Sequence, residues 1–149
     1  MIPDLQILFT RVGTIVVPLP RYQTVGASGM DIHAAIETPL QIKSLDRVRI
    51  PTGLTLSVPP KFEGQIRPRS GLAFRDGLTV LNAPGTIDSD YRGEIQVLLV
   101  NLGKATVTIT PLDRIAQLVV CPVARAELVE VSTLDETERG CGGYGSTGK

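Results

Sequence analysis

The chain has 149 residues, 42% apolar and 20% charged, and its 15 basic and 15 acidic side chains leave zero formal net charge. One domain fits this length, and folding that hides roughly 68% of the unfolded surface needs neither a metal cluster nor a disulfide framework. The even charge argues against a broad grip on nucleic acid or anionic membrane, and two cysteines with one histidine exclude zinc sites, Ser-His-Asp triads and Cys-His nucleophiles.

Valine, isoleucine and threonine make up over a quarter of the chain, and 15 glycines and 11 prolines punctuate it throughout. That is all-β composition. Predicted strands cover residues 5–9, 30–34, 47–50, 54–58, 64–67, 94–101, 105–110, 115–122 and 126–131. In 105–110, Val107 and Ile109 face one way and Thr106, Thr108 and Thr110 the other, as a half-buried antiparallel strand requires. The pattern implies a sandwich or barrel. The only helical piece is 71–76, which Ser70 is placed to cap and Gly77 to end. No run approaches the roughly 18 to 20 apolar residues of a membrane span, and Asp4, Arg11 and Pro18 interrupt any N-terminal leader. The expectation is a cytoplasmic protein with Cys121 and Cys141 as free thiols.

Several short motifs carry chemistry. Asp31 alternates with Met30 and Ile32, so it leaves the apolar face with His33 and can reach a site or a neighbouring strand. Arg67 and Arg69 share one face of an extended segment ahead of a helix start, which suits an anion or a plain surface pair. Residues 82–93 form a turn cluster between apolar runs, an irregular hairpin tip bearing Asp88 and Asp90. Those carboxylates form an acid–base pair or a divalent-cation site, or else they shape their own loop through Asx turns. Gln117 sits polar in an otherwise apolar strand, a ladder-edge residue or a donor aimed at a ligand.

The tail from Glu138 is glycine-rich and core-free. It contains Gly140-x-Gly142-x-x-Gly145 and Gly143-x4-Gly148-Lys149, but the sequence ends without the helix that a dinucleotide fingerprint or P-loop needs. Its glycines, Arg139, Tyr144, Ser146 and Thr147 still offer backbone N–H groups, charge, an aromatic plane and hydroxyls to a phosphorylated ligand. A solubility tail is the plainer alternative.

Five segments in this order, ASGMDIHAA, RPRSGLA, GTIDSDYRGEI, DRIAQLVV and RGCGGYGSTG, resemble the dUTP diphosphatase family over residues 24–148. The resemblance implies a distorted jelly-roll-like β-barrel over residues 1–137 with a lid arm at 138–149. It also implies a homotrimer whose active sites are shared between subunits. The implied reaction is dUTP hydrolysis to dUMP and pyrophosphate, which limits uracil in DNA and supplies dUMP for thymidylate synthesis. Asp88 is then the base that activates water for in-line attack at the α-phosphorus. Arg69, Ser70, Gly71 and Gln117 hold phosphates. Asn82, Gly85, Thr86 and Ile87 hold uracil, and Tyr91 packs on deoxyribose. Arg139, Tyr144, Gly145, Ser146 and Thr147 close from a third chain. Mg2+ is the implied cofactor, carried mainly by the substrate phosphates, with Asp31 reaching it through water. Tyr144 where phenylalanine is commoner, Cys141 within the lid and His33 where arginine or a neutral residue is usual are departures that remove no catalytic group. A dCTP deaminase, which resembles this barrel, uses a glutamate where this chain has Leu98. A non-catalytic nucleotide-binding protein on the same barrel is the other alternative.

Overall fold

The computed structural model describes residues 5–143. Among these, strands and one helix run in the order β1 (Leu8–Arg11), β2 (Met30–His33), β3 (Leu40–Ile42), β4 (Arg47–Pro51), β5 (Leu54–Ser57), β6 (Phe62–Arg67), α1 (Ser70–Asp76), β7 (Leu78–Val80), β8 (Gly85–Ile87), β9 (Gln96–Asn101), β10 (Val107–Ile109) and β11 (Arg114–Pro122). Every pairing is antiparallel. A four-stranded sheet runs β2-β11-β6-β8, a three-stranded one β4-β9-β7, and two ribbons pair β1 with β5 and β10 with β3. The expected all-β fold is present, as four sheets about one interior rather than one continuous closed barrel.

The interior explains why these segments are strands. Each of β2 to β11 sends at least one apolar side chain into a common core, among them Ile32, Ile42, Ile50, Ile66, Ile87, Leu99, Ile109 and Leu118. Period-two alternation does this: in β9, Val97 and Leu99 are buried while Gln96 and Leu98 turn outward. Truncating any fully buried isoleucine or leucine here to alanine removes about 2 to 5 kcal/mol. One buried polar group stitches the layers together. Asn101 Nδ2 donates to the Ile42 and Ala105 carbonyls at 2.9 and 2.8 Å, and its Oδ1 accepts from Gly103 N at 2.8 Å. Both ends of its side-chain amide are thus satisfied inside the protein.

Local departures from expectation have simple causes. The first strand starts at Leu8 rather than residue 5, and β3, β7 and β8 are three-residue strands too short to show a period. Helix α1 begins at Ser70 itself. Arg69 is its N-cap, with no side-chain cap bond, so the Ser70 hydroxyl does not cap. Gly77 ends the helix as expected, in the left-handed region at φ 69°. The expected strand at 126–131 does not form. Backbone pairing stops at Pro122, Val123 N makes a last bond to Lys61 O at 2.8 Å, and no described strand pairs with residues 126–131. Leu128, Val129, Val131 and Leu134 are left exposed along this arm, Leu128 at 96%.

Candidate active site

The segment after β7 turns back on itself. Ala83 N donates to Val80 O at 3.2 Å, and Leu81 N donates to Leu98 O at 2.9 Å. Strand β8 then pairs with β6 through Gly85↔Ile66, Thr86↔Gln65 and Ile87↔Gly64. The far end of this hairpin is pinned to β5 and the turn before it: Thr52 Oγ1 donates to Ile95 O at 2.7 Å, Ile95 N to Leu54 O at 2.9 Å, and Gly53 N to Glu94 Oε1 at 2.9 Å. Between these anchors opens a pocket of about 260 Å³. It is lined by Asn82, Gly85, Thr86, Ile87, Asp88 and Tyr91, the residues that the sequence grouped, together with Arg49, Glu94, Gln96 and Leu98.

Asp88 is exposed and faces this pocket. The turn beyond it is made by backbone, Tyr91 N to Asp88 O at 3.1 Å, and by Arg92 NH1 bonding the Ser89 and Tyr91 carbonyls at 2.8 Å. Among the described residues no hydrogen bond engages either oxygen of the Asp88 carboxylate, so the Asx-turn alternative does not apply to it. Asp90 does not line this pocket, but it and Asp88 together line a neighbouring groove with Lys61 and Arg125. The two carboxylates thus share that groove, while Asp88 alone of the two reaches the pocket. Tyr91 is fixed at its far end, where Oη donates to Glu94 O at 3.0 Å.

A second cluster forms on the outward face of β2-β11-β6. Asp31 Oδ1 accepts from Arg69 Nε at 3.0 Å, Asp31 Oδ2 accepts from Arg114 NH1 at 3.1 Å, and Arg69 NH1 donates to the Arg114 carbonyl at 3.2 Å. The shared carboxylate is only 13% exposed, which keeps these contacts from being screened as surface pairs are. Gln117 lies beside it, directly opposite both Asp31 and Arg67, with Nε2 donating to Pro68 O at 2.8 Å. A methyl group on Gly29 would overlap Gln117 Oε1, so this glycine leaves the room in which the glutamine sits. Ser70 and Gly71 open α1 next to Arg69, with first-turn N–H groups that have no intrahelical acceptor. His33 pairs with Arg114 across β2 and β11. Burial pushes its pKa below the ordinary value, Asp31 opposing and the guanidiniums of Arg114, Arg69 and Arg21 reinforcing the shift, and among the described residues its buried Nδ1 has no partner.

The described sequence-predicted residues thus fall mainly into two groups, one lining the pocket and one in the cluster around Asp31. Arg139 belongs to neither: it is exposed on the arm, and its Nε donates to Gly142 O at 2.9 Å. Tyr144, Gly145, Ser146 and Thr147 lie outside the described residues. Sequence reasoning missed Arg114, Arg49, Gln96 and Glu94. The signal for Arg114 was its place three residues before Gln117, but only the β2–β11 register brings it to Asp31.

A sequence model of the family described as dUTPase matches residues 16–148. Deoxyuridine 5'-triphosphate nucleotidohydrolase from Aquifex aeolicus is 62% identical over 131 residues, 88% of this chain and 87% of that protein. The same enzyme from Methylocella silvestris is 57% identical over 133 residues, 88% and 83% of the two chains. In architecture the chain is similar to the dUTPase of Staphylococcus bacteriophage 80alpha solved with dUpNHpp, at a TM-score of 0.87 and 22% identity over 97% of this chain and 99% of that one. Taken with the strand order and the paired clusters, these matches place the chain in the dUTPase family.

Proposed function

We propose that this protein hydrolyses dUTP to dUMP and pyrophosphate by in-line attack of water on the α-phosphorus. One observation carries the reading: Asp88 presents a carboxylate that no other described residue engages to the pocket that Tyr91, Asn82 and the β8 backbone enclose. Asp88 takes a proton from the water as the new P–O bond forms, and the bridging oxygen to the β-phosphorus leaves with pyrophosphate. Uracil fits between Asn82 and the backbone of Gly85, Thr86 and Ile87, where a 5-methyl group meets hairpin atoms. Cytosine there leaves polar groups unpaired, at about 1 to 3 kcal/mol each. Tyr91, held by its own hydroxyl, packs on the sugar. Leu98 lines this pocket without a proton to shuttle, which disfavours deamination.

The phosphates belong to the second cluster, with Arg69, Ser70, Gly71 and Gln117 as donors. Because Nε and NH1 of Arg69 are tied to Asp31 and the Arg114 carbonyl, its remaining edge is aimed in advance. Among the described residues no three metal-ligating side chains gather, so those residues offer no cage of their own for a cation. The donor set fits Mg2+ carried by the triphosphate, with Asp31 accepting from a coordinated water through the lone pairs its arginines leave free. When bound, the ion neutralises phosphate charge that would repel the nucleophile.

Separate clusters on one chain support a homotrimer in which one subunit's pocket meets a neighbour's arginine cluster. The exposed apolar side chains of the arm support subunit contact as well, and Arg139, Tyr144, Gly145, Ser146 and Thr147 then close the site from a third chain. No helix of the described residues is long and apolar enough to cross a membrane, and we place the enzyme in the cytoplasm, limiting uracil in DNA and supplying dUMP. Pyrophosphate release from dUTP by the wild type and by Asp88→Asn tests the reading. The variant should lose several powers of ten in turnover, about the scale of general-base catalysis plus positioning, while keeping dUTP binding. Equal turnover assigns the base elsewhere.

A further inference from the structure

Arg67 is an arginine on the outward face of the cluster for which the proposed reaction has no role. Strand β6 buries Gly64 and Ile66 and turns Glu63, Gln65 and Arg67 outward. Gln117 faces Arg67 directly on one side and Asp31 on the other, so these three form a single row across β6, β11 and β2. Opposed residues in such a row bring their side chains within about 5 Å at the β-carbon. Arg67 therefore flanks the proposed phosphate donor Gln117, with Arg69 two residues further along.

Among the described residues no carboxylate pairs with its charge. Nε and NH2 of Arg67 donate to Gln65 Oε1 at 2.9 and 2.6 Å, and NH2 also approaches Cys121 Sγ at 3.6 Å. Gln65 is itself held, its Nε2 donating to Glu63 Oε1, so a fixed amide oxygen lays the guanidinium along the strand. Among the described residues NH1 has no acceptor. By contrast Arg69 and Arg114 divide one carboxylate between them. Glu63, the other acid on this face, sits beyond Gln65 and binds its amide.

We infer that Arg67 is a specificity residue for the outer two phosphates, an extra cation that favours a triphosphate over shorter tails and holds the pyrophosphate leaving group. This rests on the assignment of Gln117 and Arg69 to the phosphate end. A leaving pyrophosphate carries more charge than Arg69 with its neutralising Asp31 can match, and a fork with one free edge suits it.

Inhibition of dUTP hydrolysis by pyrophosphate and by dUMP, measured on the full chain, tests this. Arg67→Gln should weaken pyrophosphate inhibition about tenfold, the worth of one charge-assisted hydrogen bond, and leave dUMP inhibition unchanged. Arg67→Lys, which keeps charge without the fork, should fall between. Unchanged pyrophosphate inhibition overturns the inference, as does equal weakening for both ligands, which marks a merely structural role. Should Arg67→Gln not fold, the lysine variant decides alone, and pyrophosphate inhibition equal to that of the wild type overturns the inference. If the wild type leaves dUTP intact, the underlying reading fails instead, and calorimetry with pyrophosphate alone still measures what Arg67 binds.

Discussion

In the pocket beside Asp88 the backbone does most of the holding, whereas in the cluster around Asp31 side chains hold one another. The pocket's wall is a strand pair and a pinned hairpin, and its aromatic side chain, Tyr91, ends on a backbone carbonyl. The cluster depends on a single carboxylate shared by two arginines from distant parts of the chain. Backbone recognition suits a base whose edge is a fixed pattern of donors and acceptors. Guanidinium groups suit a triphosphate, whose charge is large and whose tail adopts many shapes. The contrast predicts that cluster variants act through charge and mobility, and pocket variants through shape.

After Asp88→Asn, the largest effect should come from Asp31→Ala. Arg69 and Arg114 then lose their common acceptor, two guanidiniums face each other without a counter-charge, and the free edge of Arg69 is no longer aimed. A misplaced phosphate donor should lower kcat/KM for dUTP about a hundredfold. Deoxyuridine binding should be unchanged, since no pocket residue touches Asp31; its loss would break the division into two parts. A smaller change is expected from Gly93→Ala. An added methyl there overlaps the Tyr91 hydroxyl and ring, so the tyrosine must leave its bond to Glu94 O. KM for dUTP should rise about fivefold to tenfold, the cost of one displaced packing group, with pyrophosphate inhibition intact. Combined, the two substitutions should add within error, and coupling between them would mean that pocket and cluster are one mechanical unit even within a chain.

The same division separates the parts that could be read in the sequence from those that could not. Period-two alternation located most long strands, and a turn cluster between apolar runs marked residues 82–93 as a hairpin tip bearing Asp88, whereas the roles of Asn82 and Tyr91 came only with the family resemblance. The partner of Asp31 was not readable. Asp31 and Arg114 are 83 positions apart, and only antiparallel register, with its irregularity between Arg114 and Ala116, brings them together. Residues 126–131 misled for the opposite reason: Val129 and Val131 alternate like a strand, but a strand also needs a neighbour, and no local pattern supplies one. Ser70 reads as a cap from its residue type, yet the chain enters the helix at Arg69, whose carbonyl accepts from Ala73 N at 3.1 Å.

The smallest effect concerns stability and belongs to the cluster alone. His33 is packed against Arg114 with Arg69 and Arg21 near, and only Asp31 favours its charged form. Burial and the guanidiniums hold its folded pKa below the ordinary 6.5, so between the two values the unfolded chain binds more protons than the folded one. Stability from this group is complete above 6.5 and declines as pH falls through the window beneath it. His33→Gln removes the titration and keeps a polar side chain. Melting temperature measured from about pH 7.5 down to about 5.5 should fall less steeply for the variant than for the wild type, with the curves converging above the ordinary value. Parallel curves would show that His33 gains a proton in the folded cluster without cost, which would require Asp31 to outweigh its arginines. The cluster would then be an acid-centred site rather than a cationic one, and its assignment to phosphate would lose its electrostatic basis.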